Sequence, residues 1–148
     1  GSSYLPSDIN AAYLWGELEV ADEINNDRLG SWSRYRDALE PLSLAGKLGI
    51  PVVPSECKHN AHMFYVKLRD LDQRTSFISF LRENGIASAF HYVPLHSAPA
   101  GEKFGRFNGK DEYTTSESER LVRLPMYYGL NDRDQQRVID IVKAFFAK

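Results

Sequence analysis

One helical pattern occupies the first 40 residues of this chain and constrains its fold more than any other feature. Apolar side chains recur every three or four residues, from a candidate cap at Ser7 as far as Leu39. Gly30 is a candidate kink, and Pro41 is the first residue expected to end the helix. One face of the first half consists of Ile9, Ala12, Tyr13, Gly16, Val20 and Ile24, flanked by Leu14, Leu18 and Ala21.

A continuous helix of this length would extend roughly 50 Å at 1.5 Å per residue. The rest of a 148-residue chain is too small to cover it. We therefore expect part of its apolar face to contact another domain or another subunit. The sequence accordingly divides into a long interdomain or intersubunit helix at 1–41 and a small α/β domain at 42–148.

The second part of the chain alternates short apolar runs with helical patterns. The predicted class is α/β, a two-layer α+β domain in which helices pack on a sheet of about three strands. Residues 97–113 are polar and rich in glycine, which predicts a long loop. Strands are expected at 61–68 and 86–90, a short extended piece at 49–54, and helices at 72–85, at 116–123 and after a cap at Asn131.

Composition excludes several classes of function. A formal charge of -2 lacks the basic surplus that a nucleic-acid-binding protein needs. No run of eighteen apolar residues is present, so no membrane span is expected, and no signal peptide is expected because Asp8 and Asn10 interrupt the apolar stretch near the start. The single cysteine, Cys57, excludes an internal disulfide framework and favours a cytoplasmic location.

Metal binding and thiol catalysis are both weakly supported. Only His91 and His96 have the spacing of a zinc knuckle, so we expect no metal site. Cys57 lies in a loop without an oxyanion-hole motif, which argues against a nucleophile. The potential zinc ligands considered are Cys57, His59, His62, His91 and His96.

Two further segments carry candidate ligand contacts. The stretch "GEKFGRFNGK" is not a phosphate-binding motif, but Lys103, Arg106 and Lys110 could attract a diphosphate; a mobile polar loop is the alternative. His91 and His96 flank the end of a predicted strand, where polar side chains commonly contact ligands. The alternative is structural, with one ring capping the strand and the other packing on Pro94. The residue types alone leave both readings open.

Four ordered segments resemble the sugar-nucleotide aminotransferases, the DegT-like family of fold type I pyridoxal phosphate enzymes. The first, "SSYLPSDINAAYLWGELE", is similar to the family stretch G-x-N-Y-R-M-S-D-I-x-A-A-x-x-x-x-Q-L-E. The others are "HNAHMFYVKL", "FLRENGIASAFHYVPLH" and "ESERLVRLPMYYGLNDRD". The four segments follow one another in the family's order between residues 2 and 134, so the resemblance extends over nearly the whole chain. It implies the small C-terminal domain of such an enzyme.

The resemblance also implies that the cofactor-binding large domain lies outside this sequence. None of the seven lysines matches the family's Schiff-base segment, so no catalytic residue is expected here and the segment alone should be inactive. Gly1 to Ser3 align with the family's G-x-N, although a tag remnant is the alternative.

The resemblance assigns roles to four residues. Ser3 stands where the family has an asparagine that contacts the cofactor phosphate of the neighbouring subunit. His91, Tyr92 and His96 match positions at the nucleotide-sugar site. Leu5 and Pro6 replace the family's arginine and methionine, and Tyr128 replaces a proline.

The reaction implied is transfer of an amino group, expected from glutamate, to the C4 ketone of a TDP-4-keto-6-deoxyhexose. The implied partners are the nucleotide sugar, the N-terminal domain and a second subunit. The members most similar are those that form TDP-4-amino-4,6-dideoxygalactose for surface polysaccharides. The alternatives are a stand-alone module that binds an anionic ligand through His91, His96 and residues 101–110, and a zinc-binding interaction domain.

Overall fold

The long N-terminal helix is divided at Val20. The computed structural model describes residues 4–147, in which α1 spans Asp8–Glu19 and α2 spans Ala21–Leu44. Ser7 caps α1 as predicted, because its side chain accepts a hydrogen bond from the Asn10 amide at 3.3 Å. The division at Val20, where φ is -114° and ψ is 13°, replaces the kink predicted at Gly30.

The predicted helix end at Pro41 is wrong. α2 continues through Pro41 to Leu44. A proline removes one amide donor, and in the last turn that single loss does not end the helix. Gly30 stays helical because the residues that follow it, Ser31 and Trp32, are buried against the domain core.

Three antiparallel strands form the sheet in the order β1-β3-β2. β1 is Phe64–Lys67, β2 is Ala89–Phe90 and β3 is Leu121–Leu124. Val122 of β3 is opposite Val66 on one side and Phe90 on the other. The predicted strands at 61–68 and 86–90 are therefore present in shorter form, while the piece at 49–54 contributes only a bridge between Gly49 and Lys67.

The central strand lies where a helix was predicted. The expected helix at 116–123 is replaced by a short helix α5, Thr114–Ser118, followed directly by β3. Val122 and Leu124 are buried, and both edges of β3 are hydrogen-bonded to neighbouring strands. These tertiary contacts outweigh the weak local preference for helix.

The remaining helices agree with the sequence pattern at their ends. α3 spans Leu71–Glu83 and is capped by Asp70, two residues before the predicted cap at Asp72. α6 spans Asp132–Phe145 and is capped by Asn131 as predicted. The polar segment 97–113 is more ordered than predicted: a 3-10 helix at Leu95–Ser97 precedes α4, Pro99–Phe104, because Pro99 is favourable in a first helical turn.

Helices α2, α3 and α6 pack together with one face of the sheet to form the core. The rings of Phe77 and Phe145 meet at a centroid distance of 5.1 Å, and those of Tyr35 and Phe64 at 5.2 Å. This arrangement confirms the predicted two-layer α/β class. The largest fully buried apolar side chains are Tyr35, Phe64, Phe77, Leu39, Leu68, Leu81, Val66, Val122 and Val142.

No helix within residues 4–147 combines the length and the apolar character required to span a membrane.

Candidate functional site

The second face of the sheet carries the candidate site. Side chains alternate across a strand, so Phe64, Val66, Val122 and Leu124 enter the core while Tyr65 and Arg123 lie on the opposite face. Tyr65 and Arg123 are only half-buried. Ala89, the first residue of β2, pairs with Arg123, and the strand is followed directly by His91 and Tyr92. Both residues lie near Arg123, which interacts electrostatically with His91 and lies over the Tyr92 ring.

A cleft of about 440 Å³ opens at this face and carries two guanidinium groups and an imidazole. Among residues 4–147, no carboxylate lines this cleft, so it favours an anion. The residues that line it are Arg28, His62, Met63, Ala87, Ser88, Ala89, Arg123, Leu124, Pro125 and Met126.

Arg28 holds one wall of the cleft in place. Its Nε donates to the carbonyl of Ala61 at 3.2 Å, and its Nη2 donates to the carbonyl of His62. Ala61 is buried and has a φ of 50°, which is unfavourable for a residue with a Cβ. The contacts from α2 stabilise this turn and position His62 at the cleft.

Arg123 and Ser88 present unused donors at the cleft. The Arg123 Nε and the Ser88 Oγ are buried and have no hydrogen-bond partner among the described residues. Unpaired buried polar groups are costly, and an acceptor supplied by a ligand would satisfy them. The Arg123 guanidinium also lies 5.7 Å from the centroid of the Tyr92 ring, which links the cleft to the end of β2.

His91 stands beside this cleft. Its ring contacts the Tyr92 ring edge-on, with centroids 3.7 Å apart. Desolvation lowers the pKa of His91, and the charges of Arg123 and His62 lower it further. The neutral imidazole is therefore favoured, and it can both donate and accept a hydrogen bond.

His96 belongs to a different group of side chains. Its Nε2 lies 2.9 Å from the Oδ2 of Asp111, and its ring packs on Phe107 at a centroid distance of 4.4 Å. Asp111 also accepts hydrogen bonds from Thr115, and these contacts are the main reason why the pKa of Asp111 is lowered. His96 thus ties the polar segment to α5, and it does not line the cleft of Arg28 and Arg123.

The other candidate residues are scattered. Ser3 lies outside the described residues. Lys103, Arg106 and Lys110 are exposed on α4 and on the loop that follows it. Cys57 is exposed, and no group of three or more His, Cys, Asp or Glu side chains between residues 4 and 147 is arranged to hold a metal ion.

Sequence reasoning missed Arg28, Ser88 and Arg123. Arg123 could have been found by treating "LVRL" as a strand, since alternation then places it on the face opposite Val122 and Leu124. Arg28 gave no such signal, because it is one of several charged residues on a long helix. Only the packing of α2 against the turn at Ala61 brings it to the site.

Comparisons with known proteins agree with this architecture. Residues 1–143 match the family model described as the DegT/DnrJ/EryC1/StrS aminotransferase family. A protein of Methanocaldococcus jannaschii, described as uncharacterized, is 31% identical over 97% of this chain and 37% of its own length.

Two solved structures share the fold. DesV of S. venezuelae, determined in complex with a ketimine intermediate, is 27% identical with a TM-score of 0.82, over 93% of this chain and 36% of that one. NtdA of Bacillus subtilis, with bound cofactor PMP, is 22% identical with a TM-score of 0.71, over 84% of this chain and 29% of that one. The chain therefore spans only about a third of the length of these proteins.

Proposed function

Because the chain belongs to the DegT/DnrJ/EryC1/StrS aminotransferase family, we propose that it is the C-terminal part of a pyridoxal-phosphate-dependent sugar aminotransferase. The observation that carries this proposal is the cleft beside His91, in which Arg28 and Arg123 meet without any carboxylate in the lining. A nucleotide sugar and an amino-acid donor are both anionic, so both suit such a cleft.

We assign the substrate contacts to the residues at the end of β2. His91 and Tyr92 hold the sugar, with the neutral His91 ring exchanging hydrogen bonds with its hydroxyl groups. Arg123 and Ser88 supply donors to the anionic part of the substrate, which pairs the polar atoms left without partners in the cleft. His96 acts through Asp111 by fixing the polar segment that carries Lys103 and Arg106.

The proposed substrate is a TDP-4-keto-6-deoxyhexose, which receives an amino group at C4. Glutamate is the proposed donor, and TDP-4-amino-4,6-dideoxygalactose, a precursor of surface polysaccharide, is the proposed product. We place this reaction in the cytoplasm. These assignments rest on the resemblance at "FLRENGIASAFHYVPLH", where His91 and Tyr92 match the sugar-site positions.

The cofactor does not fit within this chain alone. Bound pyridoxal phosphate supplies the electron sink that amino transfer requires. None of the lysines that the structure describes lines the cleft. Lys67 pairs with Glu117 at 2.7 Å, and Lys47 donates to the Phe146 carbonyl at 2.7 Å. We therefore propose that another part of the parent protein holds the cofactor, with Ser3 as a contact to its phosphate, and that this chain alone is inactive.

The N-terminal domain of the parent and a second subunit are the proposed partners of α1. The α1 helix has no buried residue, and its Ile9 and Trp15 side chains are 82% and 68% exposed. An apolar face this open is typical of an interface. Its burial in a homodimer or against the missing domain would remove these side chains from water.

An extended version of the protein tests the proposal. With glutamate and a TDP-4-keto-6-deoxyhexose, we expect an aminated sugar detectable by mass spectrometry, and His91→Ala should lower kcat/KM by at least about ten-fold. His59→Ala is the matched control, because the His59 ring packs on Trp32 of α2, whereas the His91 ring contacts Tyr92 and lies near Arg123.

A second experiment tests whether the 148-residue chain binds the cofactor by itself. Mixed with pyridoxal phosphate, it should show no stable lysine adduct by absorbance after dialysis. A stable adduct on this chain would contradict the proposal that another part of the parent protein holds the cofactor. Equal losses of activity in the His91 and His59 variants would contradict the assignment of the sugar site.

A further inference from the structure

A second cleft, of about 640 Å³, lies between α3 and the free edge of β2. Its volume is within the range of small-molecule sites, which is roughly 300–1,000 Å³. It shares Ser88 and Ala89 with the cleft of Arg28 and Arg123, but α3 forms its other wall. The residues that line it are Arg74, Thr75, Ile78, Ser79, Arg82, Ser88, Ala89, Phe90 and Tyr92.

The wall formed by α3 is a single stripe of the helix. Arg74, Ile78 and Arg82 follow at intervals of four residues, so they share one face over roughly 12 Å. Thr75 and Ser79 place hydroxyl groups beside them. The stripe therefore presents a cation at each end and an apolar centre.

The charge of this cleft is uncompensated. Its lining contains two arginines and, in the described part of the chain, no carboxylate. Arg74 is anchored: one Nη donates to the Ser118 carbonyl at 2.9 Å, and the guanidinium lies 4.7 Å from the centroid of the Phe90 ring. Its Nε is buried without a partner. The side chain of Arg82 is exposed and has no hydrogen bond or ion pair to any residue in the described part of the chain.

The opposite wall is aromatic. Phe90 and Tyr92 are 39% and 59% exposed, so both rings keep apolar surface open to solvent. Together with Ile78 they form the apolar part of a lining that also contains Arg82. A planar ring would bury this surface, and an attached anion would reach the free guanidinium of Arg82 and the hydroxyl of Ser79.

We propose that the α3–β2 cleft binds a small aromatic anion, that is, a planar ring carrying a phosphate or a carboxylate. An added peptide strand is disfavoured as the occupant, because β2 is only two residues long and offers little edge for pairing. The proposal goes beyond the aminotransferase reaction, since Arg74, Ser79 and Arg82 contribute nothing to the cleft beside Arg28 and Arg123.

Calorimetric titration of the 148-residue chain with adenosine 5′-monophosphate tests the proposal, with adenosine, inorganic phosphate and benzoate as separate arms. We expect the nucleotide to bind at one site at least about ten-fold more tightly than adenosine or phosphate, because each lacks one half of the recognised chemistry. Benzoate binding as tightly as the nucleotide would identify a carboxylate as sufficient. Weaker benzoate binding would identify a nucleoside phosphate as the preferred class. Both results support the proposal.

Arg82→Gln is the decisive variant, because Arg82 is exposed and its replacement leaves the core intact. It should weaken nucleotide binding by about ten-fold, the usual loss for one charged hydrogen bond. Ser79→Phe, which fills the cleft, should abolish binding. The matched control is Arg137→Gln, which removes an arginine that does not line this cleft and donates to the Asn84 carbonyl.

Two outcomes would overturn the proposal. One is the absence of nucleotide binding at millimolar concentration. The other is binding that Arg82→Gln and Ser79→Phe leave unchanged, which would place the ligand elsewhere, including the cleft of Arg28 and Arg123. Ser88 and Tyr92 border both the α3–β2 cleft and the proposed substrate site, but Ser79 and Arg82 do not line the cleft of Arg28 and Arg123. The two proposals therefore fail separately: amino transfer is tested through His91 in the extended protein, and aromatic-anion binding through Ser79 and Arg82.

Discussion

The position of His91 can be predicted from the sequence, but its pKa is set by neighbouring residues. Its position after a strand is visible in the sequence, but its chemistry depends on His62 and Arg123, which come from other parts of the chain. Desolvation and these two neighbours all disfavour the protonated ring. The residue therefore stays neutral over more of the pH range than a free imidazole.

We predict that the pKa of His91, followed by NMR titration of its ring protons, lies below the ordinary value of 6.5. Arg123→Gln should raise the pKa by removing one charge, while desolvation keeps it from returning fully to 6.5. Arg137→Gln serves as the control and should leave it unchanged. A His91 pKa at or above 6.5 in the unaltered protein would contradict this description of the site.

The lowered pKa of His91 also determines in which direction this residue changes the stability of the fold as the pH varies. The pKa of His91 is lower in the folded chain than in the unfolded chain. At pH values between these two, His91 binds more protons in the unfolded chain than in the folded chain. The contribution of His91 to stability is therefore fully present above about pH 6.5 and is lost as the pH falls through the lower, folded value. His91→Gln should remove this part of the acid sensitivity.

At the scale of elements, the N-terminal caps of α1 and α6 were predicted correctly, whereas the end of α2 was not. Ser7 and Asn131 were identified as caps from the sequence, and the side chains of both accept the expected amide hydrogen bonds. A cap needs only partners two or three residues away, so local sequence suffices. The cap of α3 was misplaced by two residues, because Asp70 and Asp72 are chemically equivalent choices.

We predict that Asn131→Ala lowers the free energy of unfolding by about 1 kcal/mol, measured by urea denaturation. The substitution removes the acceptor for the Asp134 amide, now at 2.8 Å. Asn131→Ser, the matched control, keeps an acceptor and should cost much less. Equal losses in the two variants would show that the cap does not stabilise α6.

Strand β3 was the least predictable element. Residues 116–123 combine polar and apolar side chains without a clear period, and a helix was a reasonable interpretation. Its strand conformation depends on simultaneous pairing with β1 and β2, which lie far away in the chain. The same pairing places Arg123 on the sheet face that carries the candidate site. Because a helix was predicted for these residues, Arg123 was not recognised as a candidate site residue.

At the scale of the whole molecule, α1 stands apart from the folded core. The core cluster begins at Trp32, which is 5% exposed, whereas Trp15 of α1 is 68% exposed. α1 is followed directly by α2 and does not fold back to pack against it. Within residues 4–147, the apolar side chains of α1 are therefore not buried against any other segment.

We predict that deleting residues 1–18 changes the free energy of unfolding by less than about 1 kcal/mol, because residues 4–18, the part of this segment that the structure describes, are all exposed. Leu39→Ala, in the core, should instead cost about 2–5 kcal/mol. Urea denaturation measures both. A deletion that unfolds the domain, or costs as much as Leu39→Ala, would show that α1 supports this fold directly.

The sequence by itself determined the elements whose signals are local: the long N-terminal helix, the caps at Ser7 and Asn131, the strands near 64 and 89, and the family resemblance. The tertiary structure alone decided β3, the division at Val20 and the meeting of Arg28, Ser88 and Arg123 in one cleft. The reason is physical. Caps and periodicity depend on residues within one or two turns, whereas a cleft depends on which distant segments bury their apolar faces together.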